Sequence, residues 1–301
     1  MTDAAVQLSI IVFLRVDGPI DKVLDALSAQ PGLERAEVLV ADGRETPGRE
    51  DFSAGRPWLR HLKLPPQTMP ALKAAAIREA RGELIAILDP YDLPEPNWLA
   101  EIVASMSRTE AAAVGGEVLF GGPDTAANRA AYLFEYGAFT PPMQAGRTTG
   151  EMPGNNLVYR RRALLGDCGD LLSGGFWKPF FHERISARGG HFEINPAMRV
   201  RHATSYVLGP FAARRFQYGR CFGAMRRRGA PAATKLFYIA TAPAVPLVLT
   251  WRHVRRAWSH PENRQAVPRA FFALVYICFA WGLGEWLGCW LGAGRSCEKV
   301  Y

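Results

Sequence analysis

The chain has 301 residues, a formal net charge of +8 and 49% hydrophobic residues. This composition excludes an intrinsically disordered chain, and the length allows one large domain with an appendage or two ordinary domains. The positive charge is concentrated between Arg214 and Lys235, which contains seven Arg and Lys and no acidic residue and precedes the most apolar part of the chain. This order favours attraction to anionic phospholipids over DNA binding, so we predict a membrane partner and no nucleic acid.

The first 90 residues alternate between short apolar runs and segments with helical spacing. A strand is predicted wherever an apolar run of strand length occurs, and a helix wherever apolar residues recur every three or four positions. The predicted elements are a strand at Leu8–Leu14, a helix at Pro19–Gln30, strands at Glu37–Val40 and His61–Leu64, a helix at Pro70–Ala80 and a strand at Leu84–Leu88. This alternation predicts an α/β fold with a mainly parallel sheet flanked by helices, and with Asp42 and Asp89 at the same edge.

The cysteines and the amino-terminal residues indicate in which cellular compartment the protein lies. The five cysteines, Cys168, Cys221, Cys278, Cys289 and Cys297, are scattered and include no pair at two-residue spacing. We therefore expect neither a zinc site nor a disulfide framework, as in a reducing compartment. The first apolar run has no basic leader before it, which predicts a strand and not a signal peptide, with a cytoplasmic catalytic domain.

Several motifs in a fixed order resemble family 2 inverting glycosyltransferases of the GT-A fold. They are Glu-Val-Leu-Val-Ala-Asp-Gly at 37–43, the segment ending in Leu-Asp at 80–89, and Pro-Glu-Pro-Asn-Trp-Leu at 94–99. The resemblance continues through Gly-Asn-Asn at 154–156 and Gly-Gly-Phe at 174–176 to His202. It implies transfer of a sugar from a nucleotide-diphosphate donor to a glycan or lipid-linked acceptor in cell-envelope polysaccharide or glycolipid synthesis.

The resemblance also assigns residues to the donor and the acceptor. Asp42, Lys73 and Asp89 would bind the nucleotide, with Lys73 neutralising phosphate as a point charge. Asn155, Asn156 and Gly175 would lie near the sugar or the acceptor. Each of these residues also has a structural interpretation: turn caps for the aspartates, solvated helix surface for Lys73, and a turn for the Gly-Asn-Asn segment.

A divalent metal ion, Mg or Mn, is implied by the same resemblance, with Asp89, Asp92 and His202 as its ligands. The sequence departs from the family here, because Tyr91 stands where the main metal carboxylate is expected. Phenol is a poor ligand for these ions, which prefer carboxylate and water oxygens. Asp92 could substitute from the next position, and a structural role for His202 is the alternative.

A second departure affects the base that deprotonates the acceptor. The family's acidic pair would fall at Trp177 and Lys178, and neither side chain is a carboxylate. His182 and Glu183 follow one turn later and are the candidate catalytic residues, although Glu183 could instead pair with a neighbouring arginine on a solvated face. These changes leave open a non-catalytic nucleotide-sugar-binding or scaffold subunit of a membrane glycan-assembly complex.

The predicted organisation has three parts: a GT-A catalytic domain at 1–210, a basic amphipathic connector at 211–235 and hydrophobic membrane-associating helices at 236–301. Leu236 to Trp251 is short for a span, whereas Ala270 to Gly294 exceeds the ~20 residues that crossing requires. Gly284, Gly288 and Gly292 lie four residues apart, which predicts a helix groove for a homodimer, a membrane protein partner or another helix of the same chain. We predict the inner (cytoplasmic) membrane as the location.

Overall fold

The computed structural model describes residues 6–15, 18, 20–45, 51–149 and 151–299. The chain divides into two compact units. Unit 1 comprises Met1–Gly121 and Pro141–Ala203, and unit 2 comprises Gly122–Thr140 and Thr204–Tyr301. The division differs from the boundary we predicted at residue 210, because a helical segment near residue 130 belongs with the carboxyl-terminal helices.

Unit 1 is built on a mixed sheet of nine strands within the described ranges. The strands are β1 (Leu8–Leu14), β2 (Ala36–Asp42), β3 (Leu59–Lys63), β4 (Leu84–Leu88), β5 (Asp92–Pro94), β6 (Ala113–Phe120), β7 (Gly146–Thr148), β8 (Asn156–Arg160) and β9 (Phe192–His202). Their order is β3-β2-β1-β4-β8-β6-β9-β5, and β7 pairs with β9.

The helices alternate with these strands and then continue alone. In chain order they are α1 (Ile20–Ser28), α2 (Met69–Glu79), α3 (Trp98–Arg108), α4 (Ala126–Tyr136), α5 (Lys178–Ala187), α6 (Leu208–Arg226), α7 (Ala232–Thr241), α8 (Val245–Ser259), α9 (Pro261–Arg264) and α10 (Ala266–Leu291). Helices α1, α2, α3 and α5 belong to unit 1, and the others to unit 2.

The first four strands form the parallel half of the sheet. Strands β1 and β4 begin and end at the residues we predicted, because each is a continuous apolar run buried along its whole length. The register pairs Leu14 with Asp42 and Val12 with Leu88, so β2 ends at Asp42 and β4 ends just before Asp89 at one edge. The predicted placement of these two aspartates at a common edge is confirmed.

A buried carboxylate fastens the opposite end of the parallel strands. Glu37 accepts hydrogen bonds from Ser9 Oγ at 2.6 Å, the Arg81 backbone N–H at 2.7 Å and Arg60 Nη1 at 2.8 Å. Burial alone would raise the pKa of Glu37, but these bonds outweigh it and hold the pKa below its ordinary value. The carboxylate therefore links β1, β2 and β3 to the turn before β4.

Unit 2 contains a close contact between α6 and α10 that is made through glycines. A Cβ on Gly284 or Gly288 would lie 2.2 or 2.1 Å from backbone oxygens of α6, and one on Gly219 would lie 2.2 Å from a backbone oxygen of α10. Gly292 ends α10, and its carbonyl accepts a hydrogen bond from Arg220. The groove predicted for a homodimer or another membrane protein is thus filled by α6 of the same chain.

Two helical runs of unit 2 are long and apolar enough to cross a membrane. They are Ala232–Ser259, which joins α7 and α8 through a 3₁₀ turn, and Ala266–Leu291, which is α10. Within α10, Glu285 pairs with Arg226 at 2.6 Å and accepts a hydrogen bond from Trp281. Glu285 is therefore a buried polar contact within unit 2.

The expectation that the cysteines form no disulfide is wrong. Cys221 on α6 and Cys297 near the carboxyl terminus form a disulfide across a sequence separation of 76 residues. Spacing along the sequence could not reveal this pair, because the two residues meet only when the last turn packs against α6. Cys168, Cys278 and Cys289 are free and buried.

Candidate functional site

Lys73 and Asp89, two of the predicted nucleotide-binding residues, lie together at the carboxyl edge of the parallel strands. Lys73 Nζ is 4.0 Å from Asp89 Oδ1 and 5.0 Å from the ring centre of Phe13. The Lys73 and Asp89 side chains are 18% and 28% exposed, so both are accessible to a ligand. This edge is where open α/β sheets bind ligands, and the ammonium group provides a positive charge there.

Asp42 is fully buried and is held by the side chains of Arg44 and His61. Its Oδ1 accepts from Arg44 Nε at 3.0 Å, while its Oδ2 accepts from Arg44 Nη2 at 2.8 Å and lies 3.1 Å from His61 Nε2. Burial alone would raise the pKa of Asp42, but the hydrogen bonds from Arg44 and His61 lower it below its ordinary value. Asp42 therefore stays ionised and fixes Arg44 and His61.

Arg44 and His61 were missed by the sequence reasoning. His61 lies in β3 opposite Val40, two pairs away from Asp42 along the same ladder. The signal for Arg44 was present, since an arginine two residues after a strand-terminal aspartate can fold back onto it. The signal for His61 was not, because it depends on the register between β2 and β3.

Asp92, His202 and Asn155 form a second buried group. Strand β5 pairs antiparallel with β9 so that Asp92 lies directly opposite His202. Asp92 Oδ1 is 2.6 Å from His202 Nδ1, and Asn155 Nδ2 donates to Asp92 Oδ2 at 2.7 Å. Asp92 and His202, two of the predicted metal ligands, are thus brought together, and Asn155, which is 1% exposed, holds Asp92.

Asp89, Asp92 and His202, the residues assigned to a divalent metal ion, do not form a cluster of three ligands. The ranges that the structure describes contain no group of three His, Cys, Asp or Glu side chains placed to hold a metal ion. Both oxygens of Asp92 are engaged by protein groups, and Asp89 lies beside the Lys73 ammonium. The Tyr91 ring lies over Gly18, 3.3 Å from where a Cβ would be. The predicted ligand set of Asp89, Asp92 and His202 is therefore not assembled.

Asn156 and Gly175 have structural roles, which corrects their assignment to the sugar or the acceptor. Asn156 Nδ2 donates to one backbone carbonyl of β6 and one of β9, each at 2.8 Å, and Oδ1 accepts from Trp98 Nε1 at 2.8 Å. The amide is fully buried, and both of its N–H groups are used within the protein. Gly175 has φ 90°, and a Cβ there would lie 3.0 Å from Pro70, so it permits a close backbone approach.

His182 is part of the core and not an accessible base. It is 6% exposed, its Nε2 is 2.7 Å from the Tyr159 hydroxyl, and its ring lies 4.4 Å from that of Phe192. Burial raises the pKa of Tyr159 well above its usual range, so the phenol stays protonated and able to donate. The prediction that His182 deprotonates the acceptor does not agree with this packing.

Glu183 is exposed on α5. The ion pairs proposed for it with Arg184 or Arg188 are not formed, because these arginines pair with Asp170 at 3.3 Å and Asp167 at 3.5 Å. Glu183 is therefore the accessible member of the predicted pair of catalytic residues.

Comparison with known proteins agrees with the fold of unit 1. The family described as glycosyl transferase family 2 matches residues 9–166, which is more than half of the chain. The O-antigen biosynthesis protein RfbC of Myxococcus xanthus is 34% identical over 104 residues, covering 33% of this chain and 8% of that protein. The match thus spans less than a tenth of this relative.

Two solved structures resemble the chain at low identity. GalNAc-T7 with UDP, GalNAc and Mn²⁺ has a TM-score of 0.53 at 12% identity, covering 66% of this chain and 43% of that one. The mannosyltransferase PcManGT of Pyrobaculum calidifontis, with GDP-Man and Mn²⁺, has a TM-score of 0.51 at 20% identity, covering 89% and 73%. These likenesses establish the GT-A fold.

Proposed function

Because this chain belongs to glycosyl transferase family 2 and is a glycosyltransferase of the GT-A fold, we propose that unit 1 uses a nucleoside-diphosphate sugar as its donor. The acceptor is a glycan or a lipid-linked sugar of the cell envelope. The relative named for O-antigen biosynthesis supports this acceptor class. The donor class is supported by the two structural neighbours, one of which contains UDP and GalNAc and the other GDP-Man.

The observation that carries the proposal is the Lys73 and Asp89 pair at the carboxyl edge of the parallel strands. Transfer breaks the bond between the anomeric carbon and the diphosphate, so negative charge accumulates on the leaving oxygen. A partly exposed ammonium group at this edge stabilises that charge. The neighbouring carboxylate suits a ribose hydroxyl, which can donate a hydrogen bond to it.

The reaction is a single displacement with inversion. The acceptor hydroxyl oxygen forms a bond to the anomeric carbon as the nucleoside diphosphate leaves, and the hydroxyl proton passes to a base. We assign that base to Glu183, because His182 is buried in the core. Asp42 contributes indirectly by fixing Arg44 and His61 at the end of β2.

We place the protein at the inner (cytoplasmic) membrane, with unit 1 in the cytoplasm. The two candidate spans of unit 2 support membrane association. Carboxyl- and amino-terminal reporter fusions that are active only in one compartment test the orientation. A periplasmic amino terminus would contradict it.

Nucleotide binding tests the donor site directly. Isothermal titration of the full chain with UDP and with GDP is done in EDTA and again with Mn²⁺. We expect Lys73→Met to weaken binding of the preferred nucleotide by about tenfold, since a charged hydrogen bond contributes roughly 1.5–3 kcal/mol. Lys63→Met, at an exposed position on β3, is the matched control and should bind normally.

The outcomes separate the alternatives. Binding in EDTA that Mn²⁺ leaves unchanged agrees with a donor site that has no metal ligands, whereas binding only with Mn²⁺ contradicts our account of Asp92. Absence of any nucleotide binding refutes the donor site. Nucleotide binding without release of nucleoside diphosphate in the presence of membrane acceptors would instead support a non-catalytic subunit.

A further inference from the structure

An apolar groove lies on the surface of unit 2. It has a volume of about 490 Å³ and is bounded by α6, α10 and the turn between α7 and α8. Three of its α10 side chains, Tyr276, Phe279 and Leu283, are 52%, 48% and 49% exposed. An open apolar groove on helices of this hydropathy is suited to a hydrocarbon chain.

A basic pocket of about 720 Å³ adjoins this groove along α6. It is lined by Pro210, Ala213, Arg214, Gln217 and Lys299, and this set contains two cations, one amide and no carboxylate. Ala213 lines both the groove and the pocket, so the two lie next to each other. The helix thus offers an apolar surface and a site for an anion within one turn of each other.

Lys299 is brought to this pocket by the covalent structure of unit 2. The disulfide joins Cys221 of α6 to Cys297, which lies in the 3₁₀ turn Ser296–Lys299. A residue at the far end of the sequence is thereby held beside Arg214.

Most of the other cations in the basic segment are used inside unit 2. Arg215 pairs with Glu135 and Arg226 with Glu285, each at 2.6 Å. Arg220 and Arg227 donate to carbonyls at the end of α10, which stabilises that helix terminus. Arg214 is the basic residue of this segment that lines the pocket beside the groove, together with Lys299.

We propose that this combined surface binds one anionic phospholipid, with an acyl chain in the groove and the phosphate between Arg214 and Lys299. The charge of the pocket complements a phosphate, which distinguishes the occupant from an apolar helix of another protein. The adjoining groove distinguishes it from a soluble anion. The exposed apolar residues around the groove, including Leu247 at 64% and Phe272 at 82%, give a bilayer lipid lateral access.

Native mass spectrometry of the full chain in detergent tests this site by titration with phosphatidylglycerol and with phosphatidylcholine. We expect the double variant Arg214→Gln, Lys299→Gln to lose roughly tenfold to thirtyfold in affinity for phosphatidylglycerol. Ala213→Trp keeps the charge and fills the junction at an exposed position, so it should reduce binding without affecting the fold. The control Arg228→Gln, Arg255→Gln removes two exposed charges elsewhere and should bind normally.

Each result decides the proposal. Selective loss in the double variant and in Ala213→Trp supports it. If the control variant loses as much affinity for phosphatidylglycerol as the double variant, binding depends on general charge attraction and the proposal is overturned. Tighter binding of a single-chain prenyl phosphate or of inorganic phosphate than of phosphatidylglycerol also overturns it. Nucleotide titration of the same samples reports on unit 1 separately, so a failure of the lipid site is distinguishable from a failure of the donor site.

Discussion

Replacing Asn156 with alanine tests whether this residue supports the sheet or contacts the sugar. The change removes three buried hydrogen bonds, one from Trp98 and two to backbone carbonyls of β6 and β9. A buried group left unpaired costs about 1–3 kcal/mol, and because the three are coupled we expect a total of about 3–5 kcal/mol. At roughly 2–4 °C per kcal/mol, the melting temperature should fall by about 6–20 °C.

The assay is thermal unfolding of the purified full chain in detergent, followed by donor titration below the transition. Trp98→Phe is the matched control, since it leaves only Asn156 Oδ1 unpaired and should cost about 1–3 kcal/mol. Nucleotide-sugar affinity should be unchanged in the folded fraction of both variants. A melting temperature within about 2 °C of the parent, together with a tenfold loss of affinity for the sugar, would refute the structural role.

Three further variants test other parts of the structure. The ionised Glu37 carboxylate stabilises the fold fully above its unfolded pKa of about 4.3, and this contribution is lost as the pH falls through its lower folded pKa. Glu37→Gln should therefore flatten the decline in melting temperature between about pH 5 and pH 3. His182→Phe should lower the melting temperature but leave the pH profile of turnover unchanged; loss of the acid-side limb of that profile would restore His182 as the base. Gly284→Leu should destabilise unit 2, whereas Gly209→Leu, with open space around it, should not. A Gly284→Leu variant that keeps its melting temperature and changes only its oligomeric state would contradict the packing of α6 against α10.

The parallel half of the fold was predictable because its strands are local signals. The runs at Leu8–Leu14 and Leu84–Leu88 are apolar at almost every position, and both strands have the predicted bounds. Strand β5 has three residues, and β9 contains a proline and alternates between buried and exposed positions. Neither has a local pattern strong enough to predict.

The candidate site was predictable only in part, for a related reason. Asp42 ends β2 and Asp89 follows β4, and these parallel strands flank β1 on its two sides, so the sequence places both aspartates at one edge. The bond from Asp92 to His202 depends on the register of two strands 110 residues apart. The resemblance to a family suggested that Asn156 is a ligand-binding residue, but the hydrogen bonds that occupy its amide come from three distant segments.

The position of α4 has a consequence for how this chain can be recombined or shortened. Although it lies between two segments of unit 1, its Phe134 ring stacks on His253 at 5.0 Å and its Glu135 pairs with Arg215, both in unit 2. A fragment that stops near residue 203 would keep α4 and lose the helices that cover it. A chimera that exchanges unit 2 between relatives therefore needs two exchanged segments, 122–140 and 204–301. A single crossover near residue 203 would combine α4 of one protein with the remaining unit 2 helices of the other.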